Sequence, residues 1–123
     1  MSNPSTQSQP WAYLDPARAL EQIGDAQTVR SMLPMLQELL MRDVPQIGHL
    51  LEGGDVRGAN TLLHSLKGCM PIFCAPALCE ELASVEHMSK AGGSGDVGTA
   101  FSMLQPKLNH LLDEVARYLE LPQ

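Results

Sequence analysis

The chain has 123 residues, 44% of them apolar and 18% charged, which describes one globular domain able to bury a core without metal or disulfide staples. A net charge of −6 and a pI near 5.0 disfavour a nucleic-acid partner, because such binders carry a basic face. Aromatic residues are only 4%, which predicts helices packed on helices rather than a β-sandwich, and no apolar run approaches the ~20 residues of a membrane span.

Residues 1–10, rich in Ser, Gln and Pro, read as a flexible tail or linker, without the basic and hydrophobic regions of a signal peptide. The domain is expected over residues 11–123. Asp15-Pro16 predicts an N-cap followed by proline at the first helical position, opening a short helix that ends near Gly24. Asp25 can cap a long second helix with the apolar stripe Val29, Leu33, Leu36, Leu40, Val44, Ile47 and Leu51. Pro34 and Pro45 fall inside it and predict local bends. Glu52-Gly53-Gly54-Asp55 predicts a stop, a turn and a restart. The third helix then runs to Pro71 or Phe73. A fourth begins near Ala75-Pro76, carries Leu78, Leu82, Val85 and Met88 or Ser89, and ends at Gly92-Gly93-Ser94-Gly95. Asp96 is the expected cap of the last helix, with the stripe Phe101, Leu104, Leu108, Leu111, Leu112, Val115 and Leu119 and a kink at Pro106. No segment shows strand alternation bounded by hairpin signals. The expected fold is all-α: an antiparallel four-helix bundle with an additional short N-terminal helix.

Cys69, Cys74 and Cys79 are five residues apart, a step that turns a helix by about 140°. They share no face, so a zinc site is not expected and the three read as reduced, hydrophobe-like thiols. No metal site is expected elsewhere. The methionines within the fold read as bundle filler.

Chemistry concentrates on the third helix. Ala59, Leu62, Leu63, Leu66, Met70 and Phe73 mark its core side. Arg57, Asn60, Thr61, His64, Lys67, Gly68 and Pro71 form a continuous opposite stripe, spaced by three and four. His64, at the centre of that stripe, should project into water. Lys67 follows at i+3 and Gly68 at i+4. A glycine inside a helix costs about 0.5–1 kcal/mol relative to alanine, and here it clears space beside the imidazole for another molecule. The lysine supplies a cation for an anion on the ring. Imidazole is a competent nucleophile near neutral pH, and phosphoryl transfer depends mostly on positioning and charge neutralisation. By spacing alone, the same residues also fit an ordinary solvated face. His49, His87 and His110 lack such companions.

His64-Ser65-Leu66-Lys67-Gly68 matches the H-x-L-K-G signature of histidine-containing phosphotransfer (HPt) domains. Ala75, Leu78, Glu86 and Lys90 resemble further family positions in the following helix, and the likeness spans roughly residues 15–120. The chain departs from the family's usual small residues at Leu63, Cys69 and Cys74. The resemblance implies a four-helix bundle with a short N-terminal helix, and a cytoplasmic phosphoprotein in two-component signal transduction. His64 would be the phosphoacceptor, Lys67 the stabiliser of phosphoryl charge and Gly68 the clearance for an approaching receiver domain. Asn60, Thr61, Pro71, Ile72, Arg57 and Lys90 would contribute the docking surface, Ile72 equally well belonging to the core. Glu86 and Lys90 also read as a surface i, i+4 pair, the reading preferred for Glu86.

No G-x-x-x-x-G-K-[ST] loop is present, so the expectation is a carrier, not a kinase. It would take a phosphoryl group from one receiver aspartate and pass it to another as a monomer, with no cofactor of its own and with Mg²⁺ held by the receiver. A free-standing protein and the C-terminal module of a hybrid sensor kinase anchored in the inner membrane fit equally well. The competing readings are a non-catalytic helical adaptor that docks onto a receiver and, more remotely, a small hydrolase with His64 as general base.

Overall fold

A computed structural model describes residues 11–122; the expected tail at residues 1–10 lies outside the described residues. Five helices follow in chain order: α1 (Pro16–Ile23), α2 (Ala26–Glu52), α3 (Val56–Phe73), α4 (Pro76–Ala91) and α5 (Ser94–Glu120). The chain is all-α, and its only strand-like feature among the described residues is one isolated bridge between Leu14 and Cys74.

Local chemistry sets most of the boundaries. The Asp15 carboxylate accepts the Arg18 N–H at 3.1 Å to open α1, and Gly24 closes it at φ +86°, donating to the Leu20 carbonyl. Asp25 and Asp55 cap α2 and α3 by accepting from the Thr28 and Gly58 N–H groups. Gly54, at φ +81°, makes the reversal between those two helices. α2 continues through both Pro34 and Pro45. Both rings are exposed, so the carbonyls they leave unpaired lie on the wet side of the helix. The start of α5 corrects the sequence expectation. Gly93 is its N-cap, Ser94 and Gly95 are already helical, and Asp96 lies in the first turn rather than at the cap. There its carboxylate faces the positive end of the helix dipole.

The long helices close a ring in which α2 packs on α3 and α5, and α4 packs on the same two; α1 lies against α2 and α3. Short connections make chain neighbours antiparallel. The predicted stripes meet in one core. Leu33, Leu40, Ile47, Leu63, Leu66, Met70, Leu82, Leu104, Leu108 and Leu111 are all essentially sealed from solvent. The methionines divide: Met70 fills the core, whereas Met35, Met41 and Met103 are exposed, so the filler reading holds for only part of the set. All three cysteines are free. Burial pushes the Cys69, Cys74 and Cys79 thiols above their ordinary range, which disfavours reactive thiolates.

Before α1, Trp11 to Asp15 form a strap across the bundle. Asp15 N–H donates to the Phe73 carbonyl and Ala75 N–H to the Tyr13 carbonyl. Glu114, buried on α5, accepts three successive backbone N–H groups, from Ala12, Tyr13 and Leu14, at 2.5–2.9 Å. Trp11 meets Tyr118 edge to face and lies under the Arg117 guanidinium.

Candidate functional site

Leu63 and Leu66 are fully buried and fix the rotation of α3. His64, between them in sequence, is therefore carried outward, and its side chain is 70% exposed. This is the orientation that the helical spacing predicts. One turn further on, a Cβ placed on Gly68 would meet nothing within 4 Å. The patch beside the imidazole is open, and a large group can approach the ring there.

The feature that spacing on α3 alone does not show is the carboxylate beneath the ring. Glu86 comes from α4, and its side chain is only 1% exposed. Its Oε1 is 3.2 Å from Lys67 Nζ, while its Oε2 is 3.6 Å from both His64 Nδ1 and Lys90 Nζ. Asn60 Nδ2 donates to Glu86 Oε2 at 3.1 Å and to Ser89 Oγ at 2.8 Å. Ser89 in turn donates to the Glu86 carbonyl. Burial alone would push the Glu86 carboxyl up. The hydrogen bonds from Lys67 and Asn60 and the charges of Lys67 and Lys90 outweigh it, holding the group below the usual carboxylate range.

Several sequence expectations change here. Glu86 is not a surface partner of Lys90 alone; it is the buried hub that joins α3 to α4. The signal was present in the spacing. Glu86 lies four residues after Leu82 and three before Ser89, both of which are buried, so it occupies the inward stripe of α4. Asn60 was expected on the docking face, but its amide is turned inward to this hub. Pro71 is partly buried, and its carbonyl holds Arg18 Nε at 2.9 Å. Ile72 is partly buried against the core, while Arg57, Thr61, Gly68 and Lys90 remain exposed. His49 and His87 are exposed as well. His110 sits 3.3 Å from Glu114 and edge-on to Tyr13, as part of the strap anchorage.

The arrangement joins an exposed imidazole, an ionised carboxylate on its Nδ1 side, two lysines within reach and a cleared approach. That set suits a nucleophilic nitrogen receiving an anionic group. Among the described residues, no group of three or more His, Cys, Asp or Glu could hold a metal ion, and no helix is long and apolar enough to cross a membrane.

A family model described as "Hpt domain" matches residues 31–118, a span that contains His64, Lys67, Gly68, Glu86 and Lys90. No curated protein and no solved structure shows significant similarity to the chain.

Proposed function

The chain belongs to the Hpt domain family, whose members carry out histidine phosphotransfer in phosphorelays and interact there with receiver domains, and from that premise we propose that His64 relays a phosphoryl group between two receiver aspartates. The observation that carries this reading is the solvent-facing imidazole backed by a buried carboxylate.

Nδ1 and Glu86 Oε2 are 3.6 Å apart, too far for a hydrogen bond but close enough for the negative charge to favour a proton on Nδ1. The lone pair is then on Nε2, the nitrogen away from Glu86. It attacks the phosphorus of the receiver's aspartyl phosphate, and the N–P bond forms as the P–O bond breaks. The electron pair of the broken bond leaves with the receiver carboxylate. The Nδ1 proton stays on the ring, and Glu86 balances the resulting positive charge. Lys67 neutralises charge on the phosphoryl oxygens. Transfer to the second receiver is the reverse step at another aspartate. Mg²⁺ belongs to the receiver, where it neutralises phosphoryl charge during transfer.

Docking centres on Thr61, His64, Gly68 and Ile72. Beyond Cys69, the surface continues into a largely apolar groove of about 240 Å³ between α2 and α3, lined by Leu36, Leu39, Cys69 and Phe73 with exposed Met35 and the charged Glu38 and Arg42. An apolar helix face of the receiver can bury itself there.

Incubation with a panel of phosphorylated receiver domains tests this reading. An acid-labile, alkali-stable label should appear on the wild-type chain and not on His64→Gln. Lys67→Ala should slow transfer or shorten the phosphohistidine lifetime. A wild-type chain that no receiver labels would overturn the proposal, and so would label that persists in His64→Gln.

A further inference from the structure

Seven of the eight cationic side chains have an acceptor within the chain. Lys67 and Lys90 share Glu86, Lys107 pairs with Glu81, Arg42 with Asp43 and Arg117 with Asp113. Arg18 is held by the Pro71 carbonyl, and Arg30 by carbonyls at the end of α5. Arg57 is the exception: among the described residues its guanidinium has no hydrogen-bond or ion-pair partner.

Arg57 also lines a cleft of about 420 Å³ between the start of α3 and the end of α4. The walls include Asn60, Ser89 and Lys90, and no acidic side chain lines it. Lys90 contributes to its charge because Glu86, the carboxylate it touches at 3.6 Å, is bound more closely by Lys67 at 3.2 Å. One carboxylate thus faces two lysines, and Arg57 adds a further positive charge. The cleft is an electropositive notch on a chain whose net charge is −6.

The notch is separate from the phosphoryl seat. Arg57 precedes His64 by seven residues, which places it about 10 Å along the helix axis. Side chains of one helix lean the same way, so the spacing between Arg57 and the imidazole is kept. A guanidinium presents a planar fork that a carboxylate can accept through two parallel N–H groups. We infer that this notch seats an acidic side chain of the docking receiver domain, and that Arg57 is a positioning residue which fixes the rotation of the receiver about His64. The inference rests on the phosphorelay reading and deepens it. Contact centred on His64 leaves the receiver some rotation about that point; a further anchor about two helical turns away restricts it. The chain's net negative charge repels acidic surfaces elsewhere and favours them at the notch.

The experiment uses the receiver domain that labels the wild-type chain fastest, loaded with acetyl phosphate. Transfer is followed at several receiver concentrations and two ionic strengths. Arg57→Ala should raise KM about threefold and Arg57→Glu about tenfold or more, with a shallower salt dependence and little change in the rate at saturating receiver. Arg57→Lys should fall between the wild type and Arg57→Ala, because it keeps the charge and loses the fork. An Asp or Glu to Lys change on the receiver should restore transfer to Arg57→Glu. Chemical phosphorylation of His64 by phosphoramidate, with no receiver present, monitors the phosphoacceptor itself. If the wild type is labelled and the KM of Arg57→Glu is unchanged, the inference falls and the relay reading stands. If Arg57→Glu also slows phosphoramidate labelling, Arg57 acts at His64 and the notch assignment is wrong. If no receiver labels the wild type, both fall together.

Discussion

Replacing Glu86 with glutamine removes a negative charge from behind the His64 ring while keeping the shape of the side chain. Glu86, Lys67 and Lys90 together carry +1, and the variant cluster carries +2. Glu86 Oε2 lies 3.6 Å from Nδ1. With a phosphoryl group on the opposite ring nitrogen, the dianion is roughly 6.5 Å from that oxygen and is repelled by roughly 1.3 kcal/mol in the dielectric of bulk water, while the positive charge on the ring is attracted by roughly 1.2 kcal/mol. Screening at physiological ionic strength reduces these to about 0.6 and about 0.7 kcal/mol. The two terms oppose each other and leave a net effect under about twofold in an equilibrium constant. Because Glu86 is buried, its effective dielectric is lower than that of water, which enlarges both terms and keeps them opposed. The assay follows the equilibrium partition of label between a receiver and this chain, together with the rate of forward transfer. Glu86→Gln should leave the partition within about threefold of the wild type. The forward attack should slow, because the charge that favours a proton on Nδ1 is gone. A folded Glu86→Gln protein with undiminished forward transfer, or with a partition shifted about tenfold or more, would refute the electrostatic reasoning.

Other variants probe the same architecture. Gly68→Gln should slow transfer tenfold or more without lowering Tm, since a Cβ there meets nothing within 4 Å and glutamine is the better helix former; undiminished transfer would contradict the close-approach argument. The Glu86 carboxyl is held below its ordinary range, so below about pH 4.5 the unfolded chain binds more protons than the native one. Its contribution to stability is therefore present above that pH and lost as the pH falls through the native value. Denaturant midpoints between pH 6 and 3 should drop more steeply for the wild type than for Glu86→Gln, and parallel curves would remove Glu86 from the account. Glu114→Ala leaves three strap N–H groups without their acceptor and should cost about 3–5 kcal/mol, since each hydrogen bond to a charged group contributes about 1.5–3 kcal/mol. In a domain of this size that lowers Tm by roughly 10–20 °C, and a shift of only a degree or two would show that the strap contributes little.

Much of the His64 side of the site was legible before any coordinates. The order Leu63-His64-Ser65-Leu66 sends two residues outward between two that point inward, and Lys67 and Gly68 follow on the same outer stripe as His64. The charge behind the ring was harder to see. Glu86 occupies a core-stripe position on α4, yet a glutamate four residues before a lysine reads first as a surface pair. Asn60 is exposed by periodicity on its own helix and becomes inward-facing only because Glu86 and Ser89 of α4 lie against it. The strap was not legible either. Glu114 accepts N–H groups about one hundred positions earlier in the chain, and nothing in the local pattern around Trp11 to Leu14 points to that partner.

The sequence by itself determined the helices, most of their caps, their buried faces and the outward turn of His64. Those features follow from the 3.6-residue period, from Asp and Gly at helix ends and from the cost of exposing leucine, all of which act over a few neighbouring residues. Tertiary structure decided that a carboxylate lies behind the imidazole, that Arg57 has no partner among the described residues and lies beside a cleft, and that the N-terminal strap closes on α5. Each depends on how far one helix slides and rotates against another, a relation set by packing across the whole core and absent from any single stretch of residues.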